Sequence, residues 1–180
     1  MTAWVALLRG INVGGNRKVP MARLRELCAD AGLSDVRTYI ASGNLVFSSL
    51  HGSSSELEDL VADLVEREHG FRISVVVRSR AELEQSMAKA PDDDVDHRYV
   101  GFLTKEPTPD AVAAATAAMV PPARLDVVGR DAHLLLPTGM ASDWIASPGL
   151  ERLLGVGATV RNRRTVAKVL AMAQDLADDA

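Results

Sequence analysis

The chain has one cysteine, four histidines and only seven aromatic side chains in 180 residues. A lone Cys28 excludes an internal disulfide and the zinc cages built on paired cysteines, and it makes a reducing cytoplasm the expected compartment. No apolar run approaches the roughly 18–20 residues needed to span a bilayer. Residues 3–8 are apolar, but Arg9 follows at once with no small-residue cleavage site, so no signal peptide is expected. The histidines, at positions 51, 69, 97 and 133, show no H-E-x-x-H or other paired spacing. A G-x-S-x-G elbow for a serine nucleophile is also missing. The sequence therefore leaves open whether the protein is an enzyme, and no metal or cofactor is expected.

What is present is an ordinary globular composition, 47% hydrophobic and 24% charged. A chain this long buries enough apolar surface to fold without disulfides or a structural metal. The net charge of −4 hides an asymmetry. Residues 1–50 carry six Lys/Arg against three Asp/Glu, and residues 51–120 carry seven against fourteen. The last stretch, 161–180, is again slightly basic, with four against three. This balance argues against a protein that coats nucleic acid, while allowing one local anion site.

Period and punctuation give an order of elements. Trp4 to Leu8 reads as a buried strand, and Pro20 suits the first turn of a helix over residues 21–31 that Gly32 stops. Strands follow at 36–41 and 45–48, joined through Ser42-Gly43-Asn44. Ser53 with Glu56 makes a capping box for the next helix, which Gly70 ends. A strand at 73–77 and a helix begun by Ser79 and Glu82 complete the set. The order then restarts: a strand at 99–103, a helix opened by Thr108-Pro109-Asp110, a hairpin across Gly129-Arg130-Asp131-Ala132, a helix near 142–154, a strand near 158–160 and a final helix from Arg163. The expected fold is α+β, with two ferredoxin-like β-α-β-β-α-β units in tandem, each followed by an extra helix, and mainly antiparallel sheets. The halves are expected at 1–93 and 94–180, joined near Pro91–Asp96 in one compact unit. No residue-level repeat is visible. Several strands are apolar at every position, so both sheet faces should be buried, the second by the other half of the chain or by a second subunit.

Two motifs carry chemical interest. Gly10 to Gly15 follows a strand and precedes a helix, and its G-x-x-x-x-G spacing opens like a Walker A loop. Asn16 and Arg17 stand where Lys and Ser/Thr are needed, and Asn12 occupies the second glycine of a dinucleotide fingerprint. Neither nucleotide motif holds, although backbone amides in such a loop can form an anion nest. The second motif is Val160-Arg161-Asn162-Arg163-Arg164-Thr165-Val166. Asn162 is a good N-cap, and Arg161, Arg164 and Lys168 recur at helical spacing as one like-charged face. Cations at a helix start oppose its dipole, a conflict that a bound anion would relieve.

Other signals are weaker. Asp92-Asp93-Asp94-Val95-Asp96-His97 lacks the glycine and terminal glutamate of an EF-hand and reads as a solvated linker. Cys28 lies on an apolar helix face and reads as core. The RNA-recognition module shares the element order, but residues 40–47 do not match its aromatic motif, and Trp4, Tyr39 and Phe47 are expected to be packed.

The stretch Leu7–Gly15, with Lys18-Val19-Pro20-Met21, Leu24-Arg25 and Thr38–Phe47, resembles the bacterial family catalogued as domain of unknown function 1697. Arg161–Val166 with Lys168 looks like that family's other signature, with Arg163 where an aromatic usually follows the asparagine. The resemblance implies a small cytoplasmic protein with a duplicated ferredoxin-like arrangement, and it supplies no established activity. The two signatures coincide with the two motifs. The expected site is therefore one anion site formed by Arg9, Asn12, Lys18, Ser42, Asn44, Arg161, Asn162, Thr165 and Lys168. Its expected ligand is a phosphorylated small molecule, a nucleotide or a nucleic-acid end. Nucleic acid is a possible partner that is not favoured, and no membrane is expected. The competing reading is a non-enzymatic interaction or scaffold protein, a homodimer, in which both motifs are structural.

Overall fold

The computed structural model describes residues 1–50, 52–89, 95–139 and 147–178. In chain order it contains β1 (Thr2–Leu8), α1 (Met21–Asp30), β2 (Ser34–Tyr39), β3 (Asn44–Ser49), α2 (Ser54–His69), β4 (Val75–Ser79) and α3 (Arg80–Lys89). A 3-10 turn at Val95–His97 leads into β5 (Arg98–Leu103), α4 (Pro109–Ala117), β6 (Arg124–Val128), β7 (Asp131–Leu135), α5 (Ser147–Leu154), β8 (Ala158–Asn162) and α6 (Arg163–Asp178). The strands form two four-stranded sheets ordered β2-β3-β1-β4 and β6-β7-β5-β8. Every pairing is antiparallel. This is the ferredoxin-like strand order occurring twice, as the sequence pattern led us to expect.

The chain divides into two compact units, Met1–Gln85 with Lys168–Ala180, and Ser86–Ala167. In the first, α1 and α2 cover one face of the sheet. Leu24 and Cys28 from α1 and Leu57, Val61 and Val65 from α2 join Trp4, Ala6, Leu8, Leu45, Phe47 and Val77 in one core. The opposite face, with Val5, Leu7, Val46 and Val76, is also fully buried within the single chain, so its burial does not require a second subunit. In the second unit the helix-side core gathers Leu103, Ala132, Leu134, Ala158 and Val160 with Ala115, Leu150 and Leu154. A Cβ on Gly101 would come within 2.7 Å of Leu150 Cδ2, so α5 packs on a strand that has no side chain at that point.

Local sequence explains most boundaries. Ser53 accepts from the Glu56 N–H, and Gly70 closes α2 in the left-handed conformation. Ser79 and Glu82 form a reciprocal capping box: the Ser79 N–H donates to Glu82 Oε2 at 2.8 Å and the Glu82 N–H to Ser79 Oγ at 3.2 Å. Thr108 caps α4, with Pro109 in the first turn. Four expectations are corrected. Pro20 is the N-cap residue of α1 rather than part of its first turn. The second hairpin turns on Gly129-Arg130 alone, because Val128 already pairs with Asp131. The strand expected near 158–160 runs on to Asn162, which takes Arg161 off the like-charged face expected with Arg164 and Lys168. The fourth concerns repetition.

Register exposes a residue correspondence that the bare sequence hides. In β1, Val5 pairs with Val46 on one side and Arg78 on the other. In β5, Val100 pairs with His133 and Arg161. Trp4-Val5-Ala6-Leu7-Leu8 thus matches Tyr99-Val100-Gly101-Phe102-Leu103, and Val77-Arg78-Ser79-Arg80 matches Val160-Arg161-Asn162-Arg163. Each central arginine donates to the carbonyl just before it, Arg78 to Val77 at 3.1 Å and Arg161 to Val160 at 3.0 Å. The segment 142–146, where the α5 helix was expected to begin, and the acidic stretch 92–94 lie outside the described residues.

Candidate functional site

The connection from β1 to α1 is a tight, internally bonded loop. Its ends are anchored by Ile11 and Val19, both buried and both members of the first-unit core. Between them the chain doubles back, with the Asn12 N–H donating to the Arg17 carbonyl at 3.1 Å and Asn16 to Val13 at 3.2 Å. Gly10, Asn12, Gly14, Gly15 and Arg17 all have positive φ, which explains the glycines and the tolerated asparagine. The Asn12 side chain holds the loop shut. Its Nδ2 donates to the carbonyls of Val19 (2.9 Å) and Ala41 (2.8 Å), and its Oδ1 accepts from the Val19 N–H at 2.8 Å. Arg17 lies over the Phe71 ring, 6.0 Å from its centroid.

Asn12 thereby ties the loop to the β2–β3 turn. There Asn44, fully buried, donates to the Tyr39 carbonyl (3.0 Å) and to Ser42 Oγ (3.2 Å). Gly43 at φ +85° sits so close to Leu8 and Ile11 that no Cβ fits. Ile40 has φ +48°, a conformation that is unfavourable for a β-branched residue. Between the two turns and the start of α1 lies an open pocket of about 470 Å³ lined by Gly15, Lys18, Val19, Pro20, Met21 and Ala41, with Asn12. Lys18 is exposed. The α1 N-terminus beside it has no side-chain cap and no acid in its first turn, leaving its backbone N–H groups available to an anion.

Of the predicted residues, Asn12 and Lys18 line this pocket, Ser42 follows its Ala41, and Asn44 holds the turn. Arg9 is half-buried at the end of β1, where its N–H donates to the Ser74 carbonyl at 2.9 Å. The second motif belongs to the other unit up to Ala167. Asn162 does cap α6, accepting from the Arg164 N–H at 2.8 Å, and its amide donates to the Asp96 carbonyl at 3.3 Å. Arg164 is ion-paired with Asp96, so one cation that strains the helix start is answered locally. Arg161 stands in β8, where burial pushes its guanidinium down to about 10, and it cannot share a helix face with Arg164 and Lys168. Thr165 is half-buried and Lys168 exposed on α6. Sequence reasoning missed Val19, Pro20, Met21 and Ala41 as pocket walls, and nothing in the sequence announces the left-handed Ile40. Among the described residues no group of three or more His, Cys, Asp or Glu could hold a metal, and no helix is long and apolar enough to cross a membrane.

Two sheets of identical order, each with two helices folded on one face, make this a double split-βαβ protein. It belongs to the family described as Protein of unknown function (DUF1697), whose model matches residues 1–133. That match includes the glycine loop and ends before the Arg161 stretch. The fold is similar to a solved structure described as conserved bacterial protein SP0830 from Streptococcus pneumoniae, with 25% identity and a TM-score of 0.77. The similarity covers 96% of this chain and 98% of that one. No curated protein is significantly similar to the chain.

Proposed function

We propose that the first unit binds a phosphate-bearing ligand in the pocket beside the glycine loop. Lys18 supplies the counter-charge, and the open start of α1 supplies backbone donors. One observation carries this reading, an asymmetry between the two units. The second unit makes the equivalent connection, β5 to α4, with residues 104–108 alone, whereas the first uses residues 9–20. The fold therefore does not need the longer loop. The equivalent hollow in the second unit, about 330 Å³, is lined by Glu106 and closed off electrostatically by the Thr108 cap and Asp110. It offers an anion nothing. The first-unit pocket has no carboxylate, histidine or cysteine among its lining residues, which favours binding over acid–base chemistry. In this reading Asn12 shapes the pocket, since its amide is already committed. A phosphorylated metabolite and a buried, reduced Cys28 both suit a cytoplasmic protein.

The test is a thermal-shift and calorimetric screen against inorganic phosphate, sugar phosphates and nucleotides. A ligand at a hundred times its dissociation constant stabilises by about 2.7 kcal/mol. Lys18→Glu should remove the effect and Arg164→Ala should leave it intact. Silence across the panel with an intact fold would sink the proposal.

The second reading, an interaction or scaffold protein, is favoured by Asn12, whose hydrogen bonds give the loop a structural task of its own. A stable dimer in sedimentation equilibrium, dissociated by changes in residues 13–18, would favour it.

A further inference from the structure

The walls of the first-unit pocket say more about the ligand than its charge does. This step rests on the proposed phosphate site. Val19, Pro20, Met21 and Ala41 are aliphatic, and no aromatic ring is among the lining residues for a base to stack on. The amide that could read a sugar or a base, Asn12 Nδ2, already donates to two carbonyls. Next in the chain to residues that line the pocket, two large apolar side chains stand open to solvent. Val13, next to Asn12, is 67% exposed, and Ile40, next to Ala41, is 52% exposed. Ile40 is the more telling of the two. A β-branched side chain at φ +48° is held in a disfavoured conformation, while its exposure shows that core packing does not require it there. Strain retained without a packing return is characteristic of contact sites. Lys18 lines the pocket, and no Asp or Glu occurs anywhere in residues 1–25.

We infer that the ligand is a soluble phosphate monoester of an aliphatic alcohol. Its phosphate lies at Lys18 and the α1 start, and its hydrocarbon lies along Val19, Pro20, Met21 and Ala41 under a lip formed by Val13 and Ile40. A sugar or nucleotide body would find no aromatic ring and no uncommitted side-chain amide on this wall, whereas each methylene laid on it is removed from water.

The experiment is a calorimetric titration of the whole chain with inorganic phosphate, then ethyl, butyl and hexyl phosphate, with adenosine monophosphate alongside. Affinity should rise about two- to fourfold per methylene until the wall is covered, and the nucleotide should bind no better than phosphate. Ile40→Gly is the decisive variant. Glycine accepts the left-handed conformation freely, so its Tm should equal or exceed that of the parent, while hexyl phosphate binding weakens about fivefold and inorganic phosphate binding is unchanged. A purely structural Ile40 would instead lower Tm or leave the hexyl series untouched, and either result overturns the inference. Phosphate binding with no chain-length dependence overturns it while leaving the phosphate site standing, and no phosphate binding at all removes both. Binding confined to vesicles containing phosphatidic acid, with no soluble ester bound, would overturn the soluble ligand.

Discussion

Asn12→Ala should destabilise the first unit by about 2–3 kcal/mol. Two of the three hydrogen bonds from the Asn12 side chain to the backbone, those to the carbonyl and N–H of Val19, are partly buried, and each is worth about 1 kcal/mol net. The third, to Ala41, is exposed and adds little. Alanine at φ +55° adds strain that asparagine partly escapes, up to about 1 kcal/mol. The loss should register globally rather than as local fraying, because Ile11 and Val19 at the loop ends belong to the core. Urea denaturation reads the stability, and amide exchange at Val19 reads the loop directly. Asn12→Gly separates the terms, since it removes the hydrogen bonds and not the backbone tolerance; it should lose less than alanine does. A loss below about 0.5 kcal/mol in Asn12→Ala, with Val19 exchange unchanged, would refute the clamp.

Further outcomes follow from the same geometry. Gly43→Ala should cost about 2–4 kcal/mol, because its Cβ would lie 2.8 Å from Leu8 Cβ and 2.9 Å from Ile11 Cδ1 on a backbone at φ +85°. Gly101→Ala meets the end of the Leu150 side chain on a backbone with no positive φ and should cost less, about 1–3 kcal/mol; equal losses in the two variants would contradict this ordering. His133 is buried with neither ring nitrogen hydrogen-bonded. Burial lowers its pKa, helped by Lys89 and Arg98 and opposed by Asp131 and Asp126. The neutral ring is the folded form, so its contribution is complete above the unfolded value of about 6.5 and is lost as pH falls below it. His133→Leu should therefore flatten the stability profile below that pH, and a parallel profile would count against the assignment. Burial pushes the Cys28 thiol up to about 12, so a thiol reagent should label it only at the rate of unfolding; rapid native-state labelling would show the helix face to be open.

Much of the fold was legible because its signals are local. Ser53, Ser79, Thr108, Gly32 and Gly70 punctuate helices through their own backbone chemistry, and apolar runs mark strands regardless of partner. The repeat was not legible, because its matches are Trp4 with Tyr99 and Leu7 with Phe102, substitutions that only a shared register makes equivalent. The end of β8 was missed for a related reason. Val160-Arg161-Asn162 reads as a charged helix start until pairing to Tyr99 and Val100 extends the strand. At the site, the sequence indicated the loop and Lys18. It could not indicate that the asparagine amide closes on Val19 and Ala41 across the chain, nor that an isoleucine would hold a left-handed turn.

The final helix has a consequence for how the protein is made. α6 begins at Arg163 within the second unit, yet from Lys168 on it belongs to the first. Val169, Ala173 and Leu176 on that stretch are buried, and Gln174 donates to Glu84 of α3 at 3.1 Å. The first unit thus emerges from the ribosome early but remains short of its α6 segment until the whole of the second unit has been synthesised. The later half has its parts in hand first. Vectorial synthesis, which ordinarily lets the N-terminal domain finish first, should here leave that domain waiting.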